Sequence, residues 1–419
     1  MSIQTQQHQR QQQQEEETRS KSLWRSLLSV LWEFWSWLLS IPDLVFPIVN
    51  SLLPWGPKFF SQGYGDPDIY FKRLHQTIAA AAGGANGPYM TQHALKEGKN
   101  LHVKETRRKN GLVYSQGTFQ SPMAALFPQE SRYCQFVMVE PQQLHSANND
   151  NNNSTTNDPP VYIFLFPSTG EMGNGMRLAM AERLAHKYGW ASVIPTAAFY
   201  GSRKPRDQLL FFFNSVTNIL LHSEGVIEEG MLLTNWIMSE RSPHALVCHS
   251  GFSHGACTCA YTSVGSLLVG LDGSRMACAP YTGFASPGVL ADGILQSVLQ
   301  WRALAPSSKQ HLFDLLDQSQ ISLLTCHTTQ NNKVAVIRGM SFERDGVIQA
   351  KYTHEMQRQL AHVAADGHVP VQWLPGGHIT AGITRPYFQQ RLIEQAVQEL
   401  IVKTTTTPAN TTTTRAKED

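Results

Sequence analysis

The chain has 419 residues, 42% of them hydrophobic and 10% aromatic, enough to bury one large core or two ordinary ones. Its 34 basic and 32 acidic residues leave a formal charge of +2, which removes the electrostatic case for a nucleic-acid partner. The six cysteines (Cys134, Cys248, Cys257, Cys259, Cys278 and Cys326) include no Cys-x-x-Cys pair, so they read as small buried thiols rather than metal ligands or disulfides.

Residues 1–20 are a Gln-rich leader, too polar to bury a core and expected to be disordered. Residues 21–60 are aromatic-rich. Ser22, Arg25, Ser29, Glu33, Ser36 and Ser40 recur at steps of three and four, so a helix gathers them on one narrow stripe. The rest of that helix is apolar and includes Trp24, Trp32, Trp35 and Trp37. Arg25, Glu33 and Asp43 interrupt the apolar run, and Pro42, Pro47 and Pro54 break its C-terminal continuation. That pattern favours a helix lying on a membrane surface through residues 23–55 over one that spans a bilayer. A helix packed on the protein's own core is the competing reading. The run Glu15-Glu16-Glu17 is a poor start for a secretory signal and weighs against a mitochondrial transit segment.

Beyond the turn Gly63-Tyr64-Gly65-Asp66-Pro67, residues 69–82 read as a helix and Lys104 to Lys109 as a solvated basic loop. Leu112 to Phe119 and Tyr133 to Val139 read as strands. Residues 146–160 are Asn-rich and expected to form a disordered surface insertion. Apolar runs at Val161–Phe166, Ala191–Ile194, Ala245–Cys248, Met276–Ala279, Val334–Ile337 and Val369–Trp373 then alternate with helical stretches. The stretch from Phe211 to Met238 looks broken near Gly225 and Gly230, and the last helix is expected from Tyr387 to Ile401. This alternation predicts an α/β fold over residues 61–403, with a mostly parallel central sheet flanked by helices. Residues 287–325 fall outside it and are expected to form a helical lid; residues 404–419 are a Thr-rich tail expected to be disordered.

The chemistry centres on Gly251-Phe252-Ser253-His254-Gly255, which comes after a strand-like run and precedes small residues. This is the pattern of a nucleophile elbow, in which a strand turns sharply into a helix with serine at the apex. A serine hydroxyl needs a base, and the base needs an orienting acid. His378 closes Leu374-Pro375-Gly376-Gly377-His378 directly after a predicted strand, and the two glycines let the backbone bring its ring to Ser253. Asp345 lies in the loop after the preceding strand, with Glu343 its immediate rival and Asp272 and Asp292 available one strand earlier. The backbone N–H of His254 is one oxyanion donor by construction of the elbow; Thr169 or Gly170, after Val161–Phe166, is the second. Such chemistry needs no metal and no cofactor.

Several stretches carry a resemblance to a known family. They are Gly117-Thr118-Phe119-Gln120-Ser121-Pro122-Met123, Phe199 to Gln208 with its Tyr-Gly-Ser-Arg-Lys-Pro core, Ala285 to Leu290, and Gly376-Gly377-His378-Ile379. Over about residues 117–400 the chain resembles the α/β-hydrolase domain-containing protein 18 family. The resemblance implies an α/β-hydrolase fold with Ser253 as nucleophile, Asp345 as acid and His378 as base. It also implies an intracellular, membrane-associated lipid acyl hydrolase, mitochondrial in location, with phospholipids such as cardiolipin as candidate substrates. A catalytically silent scaffold on the same fold, and an acyltransferase or thioesterase using the same three residues, are the alternatives.

Overall fold

The computed structural model describes residues 31–48, 58–82, 101–149, 159–306, 308–319 and 331–406. The Gln-rich leader, the start of the aromatic stretch, residues 150–158 of the Asn-rich insertion, residues 320–325 of the expected lid and residues 407–419 lie outside them.

Among the described residues ten strands form one sheet: β1 (His102–Lys109), β2 (Leu112–Gln120), β3 (Tyr133–Pro141), β4 (Val161–Phe166), β5 (Ala191–Thr196), β6 (Leu246–Phe252), β7 (Met276–Tyr281), β8 (Val336–Ile337), β9 (Gly339–Phe342) and β10 (Val371–Leu374). Their order is β1-β2-β3-β5-β4-β6-β7-β9-β10, with β8 beside β7. The pairings among β1, β2, β3 and β5 are antiparallel; every pairing from β5 across to β10 is parallel. The helices are α1 (31–48), α2 (Pro67–Ala82), α3 (Gln142–Asn149), α4 (Gly175–Tyr188), α5 (Val216–Trp236), α6 (His254–Leu268), α7 (Lys309–Asp317), α8 (Ala350–Ala361) and α9 (His378–Thr406).

The continuous apolar runs are continuous because both faces of the sheet are covered. On β4, Tyr162, Phe164 and Phe166 join a core with Ile219 and Met231 of α5 and Val264 of α6. The alternate residues Val161, Ile163 and Leu165 join a second core with Met180 and Leu184 of α4 and Ile393 and Val397 of α9. One strand thus feeds two cores through its period of two.

Several elements depart from the sequence expectation. Lys104 to Lys109 is no loop: it is most of β1, exposed along its whole length and paired with β2 through a bulge between Glu105 and Arg107. Helix α5 runs unbroken through Gly225 and Gly230. A Cβ at Gly225 would stand 2.2 Å from the Phe127 ring, so close packing explains this glycine. Helix α9 starts at His378, well before Tyr387, and continues through Thr406 with Pro386 inside. Residues 146–149 belong to α3. Phe59 and Phe60 are core residues, so the chain just before residue 61 packs into the same core as the α/β unit expected from there. The expected lid is mostly two 3-10 turns, Pro287–Ala291 and Gly293–Val298, and then the short α7.

Helix α1 departs in two ways. It passes through Pro42 and Pro47 without ending. Proline removes a helix hydrogen bond. Side chains bond the backbone beside the first proline: Ser40 Oγ donates to the Trp37 carbonyl at 2.7 Å, and Thr380 Oγ1 donates to that of Leu39. The helix also sits polar side inward. Ser36, Ser40 and Asp43 are buried against the domain, while Phe34, Trp35, Trp37, Leu44, Val45 and Ile48 are exposed. No helix among the described residues is long and apolar enough to cross a membrane.

Candidate active site

Strand β6 ends at Phe252 and α6 begins at His254, leaving Ser253 alone between them at φ +57° and ψ −119°. A non-glycine residue pays for such a backbone, and its neighbours must hold it there. Ser253 N–H donates to the Tyr281 carbonyl at 3.0 Å, and its own carbonyl accepts from Ala256 and Cys257 at 2.9 and 3.2 Å. Both flanking glycines are required by space. A Cβ at Gly251 would lie 2.1 Å from the Gly255 carbonyl oxygen; one at Gly255 would lie 2.8 Å from the carbonyl oxygens of Phe166 and Pro167.

The structure brings Ser253, His378 and Asp345 into one row. Ser253 Oγ is 3.0 Å from His378 Nε2, and His378 Nδ1 is 2.8 Å from Asp345 Oδ2. A carboxylate can only accept, so Nδ1 carries the proton and Nε2 is left to accept from the serine. The other Asp345 oxygen accepts from the Val347 and Ile348 N–H groups at 2.9 and 2.6 Å, which locks the acid in place. Burial works against charge on His378, but Asp345, by charge and hydrogen bond, and then Asp43 more than offset it, so the ring titrates above its ordinary range. The Phe252 ring stacks on His378 with centroids 5.0 Å apart.

The rivals are placed elsewhere. Glu343 is exposed and accepts from Trp32 Nε1 at 2.9 Å. Asp272 caps the turn before β7, and Asp292 pairs with Lys351 at 2.5 Å. His249 is buried between Thr234 and Ser263. The His254 ring turns away to bond Ser223 Oγ at 2.8 Å, and burial pushes its pKa down to about 4, so it stays neutral.

A pocket opens over Ser253. Thr169, Ile219, His254, Phe284, Leu290 and Leu295 line it, together with Val347 and Ile348 of the acid-bearing turn. Leu290 and Leu295 come from the segment expected to form a lid. Thr169 is exposed on the loop after β4. That loop is tied by Glu171, which accepts from Ser168 N–H at 3.2 Å, Arg177 Nε at 2.6 Å and Arg385 Nη1 at 3.0 Å.

Sequence reasoning passed over Glu171, Arg177 and Arg385, the last of which reaches Glu171 from 214 residues away. It also passed over Asp43, which reaches the site from α1. Asp43 Oδ2 accepts from the His378 and Gly346 N–H groups at 2.6 and 2.9 Å, and Oδ1 from Ile379 N–H at 2.9 Å. An acidic residue inside the apolar run Ile41-Pro42-Asp43-Leu44-Val45-Phe46 was the available signal.

Residues 57–363 match the family model described as Alpha/beta hydrolase domain containing 18. The chain belongs to that family. The match includes the elbow and the acid turn and stops short of His378. Among solved structures, an acetyl xylan esterase from a Paenibacillus species is 12% identical with a TM-score of 0.49, covering 82% of this chain and 98% of its own. Acetyl Xylan Esterase 1 from a Thermoanaerobacterium species is 14% identical with a TM-score of 0.45, over 80% and 96%. A putative dienelactone hydrolase from Klebsiella pneumoniae is 13% identical with a TM-score of 0.41, over 71% and 100%.

Proposed function

We propose that this α/β-hydrolase-domain protein is a serine hydrolase that cleaves acyl ester bonds of a membrane lipid. The observation that supports the chemistry best is the hydrogen-bonded row from Ser253 Oγ through His378 to Asp345. As Ser253 Oγ attacks the ester carbonyl carbon, His378 Nε2 takes its proton, and Asp345 steadies the resulting imidazolium. The carbonyl oxygen becomes an oxyanion, received by the His254 N–H and by a donor on the Thr169–Gly170 loop. His378 returns the proton to the leaving alcohol, and the acyl group stays on Ser253. Water, deprotonated by the same ring, then releases the acid.

The lipid part of the reading rests on two features. The pocket beside Ser253 is lined mainly by apolar side chains, as an acyl chain requires. The exposed face of α1 carries Phe34, Trp35 and Trp37, and aromatic rings of this kind suit the bilayer interface. The family resemblance adds phospholipids, cardiolipin among them, as the substrates to try first.

A fluorophosphonate probe tests the chemistry and labelled-phospholipid vesicles test the substrate. Wild type should take the probe and release fatty acid from vesicles, and Ser253→Ala should do neither. Folded wild-type protein that resists the probe on vesicles would point instead to a silent scaffold.

A further inference from the structure

Helix α1 turns its polar stripe to the pair of turns that carry His378 and Asp345, with Trp32 bonding Glu343 beside it and Phe46 packed on the first core. The Ser36 hydroxyl accepts from Gly376 N–H at 3.3 Å, Thr380 Oγ1 donates to the Leu39 carbonyl, and Glu33 pairs with Arg344 at 2.5 Å. At the centre is Asp43, only 1% exposed.

We propose that Asp43 is a positioning residue of the active site, a single carboxylate from α1 that fixes the turn bearing the base and the turn bearing the acid. The proposal rests on the reading of Ser253, His378 and Asp345 as the reacting groups. Its geometry is specific. Helix α9 begins at His378, so its first N–H groups have no partner within the helix. Asp43 supplies acceptors for two of them, His378 and Ile379, and its negative charge suits the positive end of the helix. The same carboxylate holds Gly346 N–H, one residue beyond Asp345. A shift of Asp43 therefore moves the base and the acid together.

The glycine pair before His378 acquires a second meaning. A Cβ at Gly377 would lie 2.5 Å from Asp43 Oδ2 and 2.6 Å from its Cγ. Glycine at 377 leaves the room that the carboxylate occupies. Gly376, at φ +115°, makes the turn itself.

Asp43 also adds charge. The groups around His378 are Asp345 on its Nδ1 side and Asp43 behind its backbone, with Arg385 beyond the Phe252 ring. Glu343 and the Glu33–Arg344 pair lie at the exposed rim. Removing the Asp43 charge takes away one of the carboxylates that favour the imidazolium, so the histidine should lose its proton at lower pH.

The experiment uses the full chain, a short soluble p-nitrophenyl ester, and Asp43→Ala and Asp43→Asn, with Ser253→Ala as the blank. Asp43→Ala should lower kcat about 100-fold with KM within about threefold, the scale of a small misplacement of reacting groups. Asp43→Asn keeps an acceptor oxygen and should lose about tenfold, with the acid limb of its pH profile moved to lower pH. NMR titration of the His378 ring should show the same downward move. Because Asp43→Asn is isosteric, it decides the matter if Asp43→Ala fails to fold. Unchanged kcat, acid limb and His378 titration in Asp43→Asn would overturn the proposal. Wild-type protein that neither turns over the ester nor takes the probe sinks the hydrolase reading instead, and the NMR titration still judges Asp43.

Discussion

Helix α1 and the segment from Phe199 to Gln208 both stand outside the alternation of strands and helices, and both anchor on buried charge. The 199–208 segment turns its charge inward. Arg203 is fully buried and holds Glu229 of α5 with two bonds of 2.6 and 2.8 Å, the Thr196 carbonyl at 2.7 Å and the Ser131 carbonyl at 2.7 Å. It ties the end of β5, the turn before β3 and α5 into one unit. Its links to the pocket run through Tyr200, which bonds the backbone of Gly170 and packs on His222, whose ring in turn packs on that of His254. Asp43, by contrast, is one step from His378 and Asp345. On the proposal for Asp43, the first segment is expected to act mainly on folding and the second on how the reacting groups are aimed.

The sharpest way to break this distinction is Arg203→Ala, which leaves the Glu229 carboxylate buried without its main partner. Such a loss costs about 3–5 kcal/mol. Urea unfolding should show it, while the folded fraction keeps kcat within about twofold. A drop in kcat beyond the loss of folded protein would mean that the 199–208 segment also aims the site.

Gly377→Ala should do the reverse. The new methyl group meets Asp43, so kcat falls about tenfold with little change in the urea midpoint. In an Asp43→Ala background the same substitution should cost almost nothing, because the two changes remove one contact. Additive losses would separate Gly377 from Asp43.

A smaller effect is expected in the wild-type pH profile. In the proposed reaction His378 can serve as a base only when neutral, and the two carboxylates hold its pKa above the ordinary value of about 6.5. Turnover of a soluble ester should therefore rise with pH along a limb whose midpoint lies above that value. A midpoint below it would show that burial outweighs the carboxylates. The smallest effect belongs to Glu343→Gln, which touches only the rim contact with Trp32 and should leave kcat within about twofold.

Much of this was legible in the sequence because burial on both faces leaves a strong mark. Val161–Phe166, Ala245–Cys248 and Met276–Ala279 read as strands, and the glycines around Ser253 and before His378 marked the turns that carry the candidate site residues. What escaped notice lacked such a mark. An edge strand with both faces in water shows no alternation, so Lys104 to Lys109 looked like a loop. Gly225 and Gly230 looked like helix breaks because the Phe127 and Phe166 rings that fill the space beside them are distant in sequence. Asp43 sat before a proline-rich stretch and looked like an interruption, since the three N–H groups that justify its burial come from more than 300 residues later. The polar stripe of α1 was visible, but its direction was not. Periodicity reveals that a helix has two faces without saying which one meets the protein.

The backbone of Ser253 carries one more consequence. Holding a side-chain-bearing residue at φ +57° and ψ −119° costs on the order of 1–3 kcal/mol, a penalty glycine would escape. A chain chosen for durability alone would place glycine at 253. Keeping serine there gives up part of the domain's modest stability, a sacrifice that suits the nucleophile role proposed for it.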